Sequence, residues 1–350
     1  MKDTNMEYLQ KRYHEYWNRE NHDRAILALY CPDETSEHAQ IATPQTNEEI
    51  WLNFDYVLSA NRQAINNTRF LGEAFPSYNP NLGPDILGGI MGCDINFGDI
   101  TSWAIHKADS CEQLTDIFFD DQSVWFKRIY HLTQMAVNEA KGEYLVGVTD
   151  LHAGLDGLVS LIGPENLCYD TVDNPHLVEK YIWQVFDVFK AVYQRLYNCT
   201  AQVQGSCATN WMNVLYPEGG YVTSCDFCCL LSPDDFRKFV LPELRAELDF
   251  LGASLFHLDG PRALRHLDDL LAIPNLSGIQ WVPGEGAKPA KEWIDVLQKI
   301  QKAGKLIQMT ITPDDFVPII DALEPEGVML ACACQNVEQA NDMLKYATKR

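Results

Sequence analysis

The stretch that decides the fold is Gly252-Ala-Ser-Leu-Phe-His-Leu-Asp-Gly-Pro261, an apolar run that ends in a histidine, an aspartate and a Gly-Pro turn. Such a run is typical of a buried parallel strand, which delivers polar side chains to the rim of an α/β barrel, where these folds keep their chemistry. His257 and Asp259 are two residues apart, so on one strand they point the same way. Further along, Ser277-Gly-Ile-Gln-Trp-Val-Pro-Gly284 repeats the pattern. Two consecutive strands of this kind predict a lined pocket and therefore an enzyme.

Outward from this stretch, strands and helices alternate, which predicts a parallel sheet. Strands are predicted at residues 144–148, 201–205, 253–257, 277–281, 305–311 and 327–333. Amphipathic helices are predicted at 3–30 and 48–72, and further helices at 111–141 and 175–197. The predicted fold is therefore an α/β protein: a (β/α)8 TIM barrel over residues 73–350, preceded by an N-terminal helical extension over residues 1–72.

The amino-acid composition limits the classes of molecule that this protein can bind. The net charge of −22 and the pI of 4.7 argue against nucleic acid and against an anionic membrane, because the mean field repels polyanions. The first residues are polar, and no apolar stretch reaches the roughly 18 residues of a membrane span. We therefore expect a cytoplasmic protein whose 11 cysteines are reduced thiols.

Polar residues that follow the predicted strands share one mouth, because the carboxyl ends of parallel barrel strands meet there. The candidate catalytic residues are Asp150, His152, Asp226, His257 and Asp259. The candidate substrate-binding residues are Asn210, Trp211, Gln280 and Trp281. Alternatives stay open: Asp150 could cap a helix, His152 could be a hydrogen-bonded supporting residue, and Trp281 could simply pack.

The spacing of Cys332 and Cys334 is compatible with a metal site. Cys332 and Cys334 alternate to the same face of the last strand, and His257 could meet one of them across the mouth. Histidine with a thiolate suits zinc, and Asp259 could be a further ligand. The alternative is two ordinary buried thiols.

The chain resembles the uroporphyrinogen decarboxylase superfamily over roughly residues 70–345. The motifs that carry the resemblance are Asn81-Leu-Gly-Pro-Asp85, Val146-Gly-Val-Thr-Asp-Leu-His152 with Leu161-Ile-Gly-Pro-Glu165, Leu231-Ser-Pro-Asp-Asp-Phe-Arg-Lys-Phe-Val-Leu-Pro242, and His257-Leu-Asp-Gly260. This resemblance implies a (β/α)8 barrel, often dimeric, with its site at the carboxyl mouth. It also implies one of two chemistries.

Metal-free decarboxylation of uroporphyrinogen implies an N-terminal arginine-rich run that holds carboxylates. No such run occurs here, and Arg62 and Arg69 lie on a predicted helix without that context.

Corrinoid-dependent methyl transfer, as in coenzyme M methyltransferases, implies a His-x-Cys motif and a late cysteine that bind zinc. His257 matches the histidine, Asp259 replaces the cysteine, and Cys334 or Cys332 matches the late cysteine.

The sequence therefore predicts a corrinoid-dependent methyltransferase subunit with zinc at His257, Asp259 and Cys334. It would transfer a methyl group between a small methylated substrate or thiol and a corrinoid protein that docks on the mouth. The alternatives are a metal-free carboxy-lyase that acts on a porphyrinogen or a smaller organic acid, with Asp226 or His257 as proton donor, and a non-catalytic binding barrel.

Overall fold

The computed structural model describes residues 5–36 and 41–349, which form a mixed α/β structure around a parallel sheet. The strands are β1 Ile26–Pro32, β2 Thr68–Gly72, β3 Ser77–Tyr78, β4 Asp94–Phe97, β5 Ser102–Ile105, β6 Leu145–Val146, β7 Tyr221–Ser224, β8 Ser254–Asp259, β9 Gly278–Val282, β10 Leu306–Ile311 and β11 Val328–Ala333. Seven of them form the central sheet in the order β2-β1-β11-β10-β9-β8-β7. All neighbours in this sheet are parallel except β2, which runs antiparallel to β1 at the edge.

Two smaller sheets accompany the central one. Strands β3 and β6 pair in parallel, and β4 and β5 form an antiparallel hairpin. Beyond β6, the Gly147 amide donates to the Tyr78 carbonyl at 2.8 Å, and the Val148 amide donates to the Thr209 carbonyl at 3.0 Å. These bonds extend the β3–β6 ladder towards the segment that follows residue 206.

Helices surround the strands and bury their apolar sides against them. They are α1 Met6–Trp17, α2 Asn47–Leu52, α3 Phe54–Asn66, α4 Ile86–Ile90, α5 Val124–Ala140, α6 Gly154–Ile162, α7 Pro164–Asp173, α8 Pro175–Thr200, α9 Pro233–Asp235, α10 Leu241–Leu251, α11 Leu267–Leu271, α12 Ile294–Lys302, α13 Pro313–Ala322 and α14 Val337–Lys349. Helix α8 is the longest because buried residues recur at helical spacing along it, from Val178 to Thr200. Over the described part of the chain, no helix combines the length and the apolar character that crossing a bilayer requires.

Strand register decides which side chains face the candidate site. His257 of β8 is level with Gln280 of β9, and Gln280 is level with Gln308 of β10. Residues in register on parallel neighbours point to the same side, so these three share one face of the sheet. The neighbouring residue Trp281 therefore points to the opposite face, level with Leu258.

The predicted strands near residues 253–333 coincide with β8 to β11, to within a residue or two at most of their ends. The predicted strand at 201–205 is wrong, because residues Ala201–Gln204 form a 3-10 helix. The predicted helix at 3–30 is also wrong in its second half, where Ile26–Pro32 forms β1. The second predicted helix, at 48–72, ends early because Thr68–Gly72 forms β2. The central sheet thus takes two strands from the segment expected to be a helical extension.

Candidate active site

Side chains from several strand ends meet beside the carboxyl edge of the sheet. Asp150 and His152 follow β6, Asp226 follows β7, and His257 and Asp259 lie at the end of β8. Asp150 contacts His152, and Asp226 lies near His257. The structure therefore brings these candidate residues together, while their catalytic roles stay predictions.

His152 lies between two carboxylates. Its Nε2 is 3.0 Å from Asp150 Oδ2, and its Nδ1 is 3.5 Å from Asp156 Oδ2 and 3.4 Å from Ser224 Oγ. Burial by itself disfavours the imidazolium, but the charges and hydrogen bonds of Asp150 and Asp156 outweigh it and raise the pKa of His152 well above its usual value. For Asp150, burial opposes ionisation, yet the charge and hydrogen bond of His152 prevail and lower the pKa of the carboxyl group. The pair is an ion pair at neutral pH.

Asp156 is a site residue that the sequence analysis missed. It lies in the first turn of α6, and its two oxygens accept the backbone amides of Asp226 at 2.7 Å and Phe227 at 2.9 Å. The same carboxylate faces His152, so it ties the β6 and β7 segments to each other. The available signal was its spacing, four residues after His152 on a helix of otherwise apolar character.

The sequence analysis also missed Tyr221, whose hydroxyl holds the segment that contains Asp150 in place. Its hydroxyl donates to the Thr149 carbonyl at 2.5 Å and accepts the Leu151 amide at 3.1 Å. These bonds hold the residues on either side of Asp150, so the carboxylate has a defined position.

Asp226 and His257 form the second pair of the site. Their closest atoms, Asp226 Oδ1 and His257 Nε2, are 3.9 Å apart, and the Asp226 side chain is 51% exposed. Partial burial and the negative charge of Asp156 raise the pKa of Asp226 to about 6. The side-chain oxygen of Gln280, Oε1, accepts a 2.5 Å hydrogen bond from His257 Nδ1, which leaves Nε2 facing Asp226. Because its pKa is about 6, Asp226 can both donate and accept a proton near neutral pH.

Trp211 forms an aromatic wall beside this pair. Its ring meets the His257 ring edge to face, with centroids 5.1 Å apart. Asn210 is fully buried and supports the wall, since its oxygen accepts the Met212 amide at 3.0 Å and its amide group lies 3.5 Å from the Tyr216 hydroxyl. Asn210 thus shapes the turn that presents Trp211.

Trp281 does not belong to this group of side chains. It is fully buried and packs against Trp293, with ring centroids 5.3 Å apart. Because it points to the face opposite His257, the structure gives it a packing role in place of the expected contact with substrate.

The residues expected to hold zinc do not come together as a ligand set. Cys332 is level with Ile311, on the face opposite Gln308 and His257. The Cys334 thiol lies 3.7 Å from Met343 Sδ on α14, and burial raises its pKa. Zinc binds thiolates, so a buried thiol on the helix side of the sheet does not fit a site with His257 and Asp259.

A different cluster of possible ligands lies within the described residues: His152, Asp156 and Asp226, whose ligand atoms are within 4.8 Å of one another. Both His152 nitrogens already face carboxylates, and both Asp156 oxygens already accept backbone amides. The ligand atoms of His152 and Asp156 are therefore engaged with other protein groups in this structure.

Two buried glutamates on α10 lie behind the site. Burial and the charge of Asp156 raise the pKa of Glu243 to about 8, and burial with the charge of Glu243 raises that of Glu247 well above its usual value. A β-carbon added to Gly154, at the start of α6, would come within 2.8 Å of Glu243 Oε2. The raised pKa values favour the neutral carboxyl groups at pH 7, and that of Glu243 lies close to the backbone that follows His152.

Comparison with known proteins shows the fold. A methyltransferase from Methanosarcina mazei has a similar structure, with a TM-score of 0.61 and 12% sequence identity over 97% of this chain and 98% of that chain. No family model matches the sequence, and no curated protein matches it. The likeness therefore extends over nearly the whole of both chains and concerns their architecture.

Proposed function

We propose that this protein is a methyltransferase, which transfers a methyl group between a small methylated substrate or thiol and a corrinoid held by a partner protein. The observation that carries the proposal is the convergence of Asp150, His152, Asp226 and His257 at strand ends, in a fold shared with a methyltransferase. The half-exposed Asp226 and the exposed Asp259 leave the rim accessible to a docked partner. When bound, the corrinoid would supply the cobalt that carries the methyl group.

The chain's own residues would bind and protonate the methyl donor. A methyl group leaves more easily from nitrogen, oxygen or sulphur when the remaining atom receives a proton. Asp226, with its pKa of about 6, is suited to deliver that proton. The imidazolium of His152 lies beside Asp226 and is itself paired with Asp150 and Asp156, and the Trp211 ring packs against His257.

We also infer that the fold is a (β/α)8 barrel whose eight strands are β3, β6, the segment near Thr209 and β7 to β11, with β1 and β2 as additional strands beside β11. The backbone bonds of Gly147 and Val148 support the pairing of β6 with β3 and with the segment near Thr209. A crystal structure that shows an open edge at β7 would contradict it.

The methyltransferase proposal is tested with cob(I)alamin and a panel of methylated amines, ethers and thioethers, by following the absorbance of methylcobalamin. Asp226→Asn should lower kcat by about a hundredfold or more, since one acid–base group is removed. The matched control is Asp234→Asn, an exposed aspartate whose side chain is 94% accessible, and it should behave as wild type. Absence of methyl transfer from every donor class, with folded wild-type protein, would count against the proposal.

The second candidate function is a metal-free carboxy-lyase, favoured by the same Asp226 as a proton donor with pKa about 6. Formation of coproporphyrinogen from uroporphyrinogen at an enzymatic rate would support it. The net charge of −22 argues against so anionic a substrate.

A further inference from the structure

A pair of cysteines flanks Asp226 in the sequence Cys225-Asp-Phe-Cys228. Cys225 follows β7, and the residues Asp226–Leu230 form a short 3-10 helix directly after it. The Cys225 thiol donates a hydrogen bond to the Cys228 sulphur, and both side chains are buried. Two free thiols therefore meet immediately beside a residue of the candidate site.

The backbone between the two cysteines suits a disulfide. The Cys228 amide donates to the Cys225 carbonyl at 3.2 Å, which closes a turn. The Cα atoms at the two ends of such a turn are less than about 7 Å apart. A disulfide joins residues whose Cα atoms are about 4.4–6.8 Å apart. A bond between these two sulphur atoms is thus compatible with the turn that the chain already makes.

The turn lies at the surface, although its two thiols are covered. The Asp226 side chain and Leu230, at the two ends of the 3-10 helix, are both about half-exposed. A five-residue helix with exposed ends opens locally at a low cost in free energy, and this opening gives a small oxidant access to Cys225. The hydrogen bond with Cys228 and burial raise the pKa of Cys225 well above its usual value. Because the thiolate is the nucleophile, its reaction should be faster at alkaline than at neutral pH.

The same turn sets the position of Asp226. The Asp156 carboxylate accepts the amides of Asp226 and Phe227, the two residues between the cysteines, at 2.7 and 2.9 Å. A disulfide holds its sulphur atoms about 2.05 Å apart, much closer than two non-bonded thiols, so it draws the ends of the turn together. Since the centre of the turn stays bound to Asp156, this change should redirect the Asp226 side chain, which lies 3.9 Å from His257.

We propose that Cys225 and Cys228 form a reversible disulfide, which acts as a redox switch of the site by displacing Asp226 from His257. The oxidant is a small-molecule disulfide such as oxidised glutathione. The Cys225 thiolate attacks one of its sulphur atoms and releases one small thiol, and the Cys228 thiolate then attacks the Cys225 sulphur and releases the second. Two protein thiols are oxidised, one small disulfide is reduced, and the two protons pass to the released thiolates. The control of methyl transfer rests on the proposed function, whereas the disulfide does not.

The disulfide is tested on folded wild-type protein incubated with oxidised glutathione at alkaline pH, followed by alkylation and peptide mass spectrometry. The peptide that contains Cys225 and Cys228 should lose about 2 Da, the mass of two hydrogen atoms, and dithiothreitol should reverse the loss. A lasting mixed disulfide with glutathione at Cys225, or two thiols that stay reduced, would overturn the proposal.

Variants assign the bond. Cys225→Ser and Cys228→Ser should each prevent the loss of mass, and Cys229→Ser should retain it. The matched control is the pair Cys332 and Cys334, whose thiols are also buried and hydrogen-bonded. They point the same way from positions about 6.6 Å apart along an extended chain, whereas a disulfide needs Cβ atoms about 3.5–4.5 Å apart. This pair should stay reduced, and its oxidation at an equal rate would contradict the geometric reason for the switch.

The displacement of Asp226 is measured by NMR from the ring resonances of His257. They should shift on oxidation, return on reduction and stay constant in Cys228→Ser. Unchanged resonances in the oxidised protein would overturn the switch.

Activity separates the two proposals. Oxidation should lower methyl transfer about tenfold or more, because a misplaced acid–base group loses much of its effect. A disulfide that shifts the His257 resonances in a protein without methyl transfer would support the switch and count against the methyltransferase function. Equal methyl transfer by the oxidised and the reduced protein would overturn the switch and leave the methyltransferase function standing.

Discussion

At the scale of single residues, the state of His152 depends on the two carboxylates that flank it. Asp150→Asn keeps the shape of the side chain but removes the charge 3.0 Å from Nε2. The pKa of His152 should therefore fall, because the strongest interaction that stabilises its imidazolium is lost. An NMR titration of the His152 ring protons measures this change directly.

The matched comparison is Asp259→Asn, since Asp259 is absent from the main interactions that shift the pKa of His152. It should leave that pKa nearly unchanged. If both variants shifted the titration equally, the specific pairing of His152 with Asp150 would be contradicted.

A second prediction at this scale concerns Cys334 and zinc. Its thiol contacts Met343 rather than His257, so Cys334→Ser should leave the zinc content of the purified protein the same as in wild type. Metal analysis by mass spectrometry provides the measurement, with His257→Ala as the comparison. A wild-type protein that holds one zinc and loses it in Cys334→Ser would show that the thiol reaches the site after all.

At the scale of elements, α10 buries Glu243 beside the start of α6. Its pKa of about 8 in the folded protein exceeds its usual value of 4.5. A carboxyl group whose pKa is raised on folding makes its full contribution to stability below its unfolded pKa. For Glu243, this contribution is lost as the pH rises through about 8. The loss of stability therefore begins near pH 4.5 and is complete above about pH 8.

We predict that Glu243→Gln removes this pH-dependent loss of stability. The free energy of unfolding of the variant should equal that of wild type near pH 5 and exceed it at pH 9 by an amount on the order of 3 kcal/mol. Urea denaturation at each pH measures this difference. The control is Asp249→Asn, an exposed position on the same helix. Parallel pH profiles for wild type and Glu243→Gln would mean that Glu243 ionises freely.

At the scale of the whole molecule, a buried ionic network joins α1 to the sheet. Glu73 is fully buried and accepts from Arg24 Nη2 at 2.6 Å, Arg12 Nε at 3.2 Å, the Leu27 amide at 2.9 Å and the Tyr8 hydroxyl at 2.7 Å. Burial opposes its ionisation, but the hydrogen bond and charge of Arg24 prevail and lower the pKa of Glu73. The N-terminal helix is thereby tied to residues on both β1 and the end of β2.

Glu73→Gln should destabilise the whole fold by about 3–5 kcal/mol at pH 7, because it leaves the buried Arg24 guanidinium without its counter-charge, while Arg12 keeps its ion pairs with Glu15 and Asp23. Since the pKa is lowered, the contribution of Glu73 is present above 4.5 and is lost as the pH falls through the folded pKa. The variant should accordingly lose less stability than wild type on acidification below pH 4.5. Thermal unfolding at both pH values, with the exposed-pair variant Glu326→Gln as control, checks the prediction; equal acid sensitivity of Glu73→Gln and wild type would refute it.

By itself, the sequence determined the parallel strands β8 to β11, helix α8 and the grouping of Asp150, His152, Asp226 and His257 at strand ends. These features follow from local patterns: apolar runs that end in polar residues and turns, and apolar positions at helical spacing. It missed β1 as a strand because the run Ile26–Pro32 adjoins a helical pattern, while its partner β11 is far away in the chain.

Tertiary structure alone decided which face each side chain occupies. Alternation within β11 predicts that Cys332 and Cys334 share a face, but only the register with β10 shows that Cys332 faces away from His257. The same register turns Trp281 away from the mouth. Asp156 and Glu243 likewise acquire their roles through contacts between distant segments. A pattern along one strand fixes relative orientation, whereas its absolute orientation depends on neighbours that packing selects.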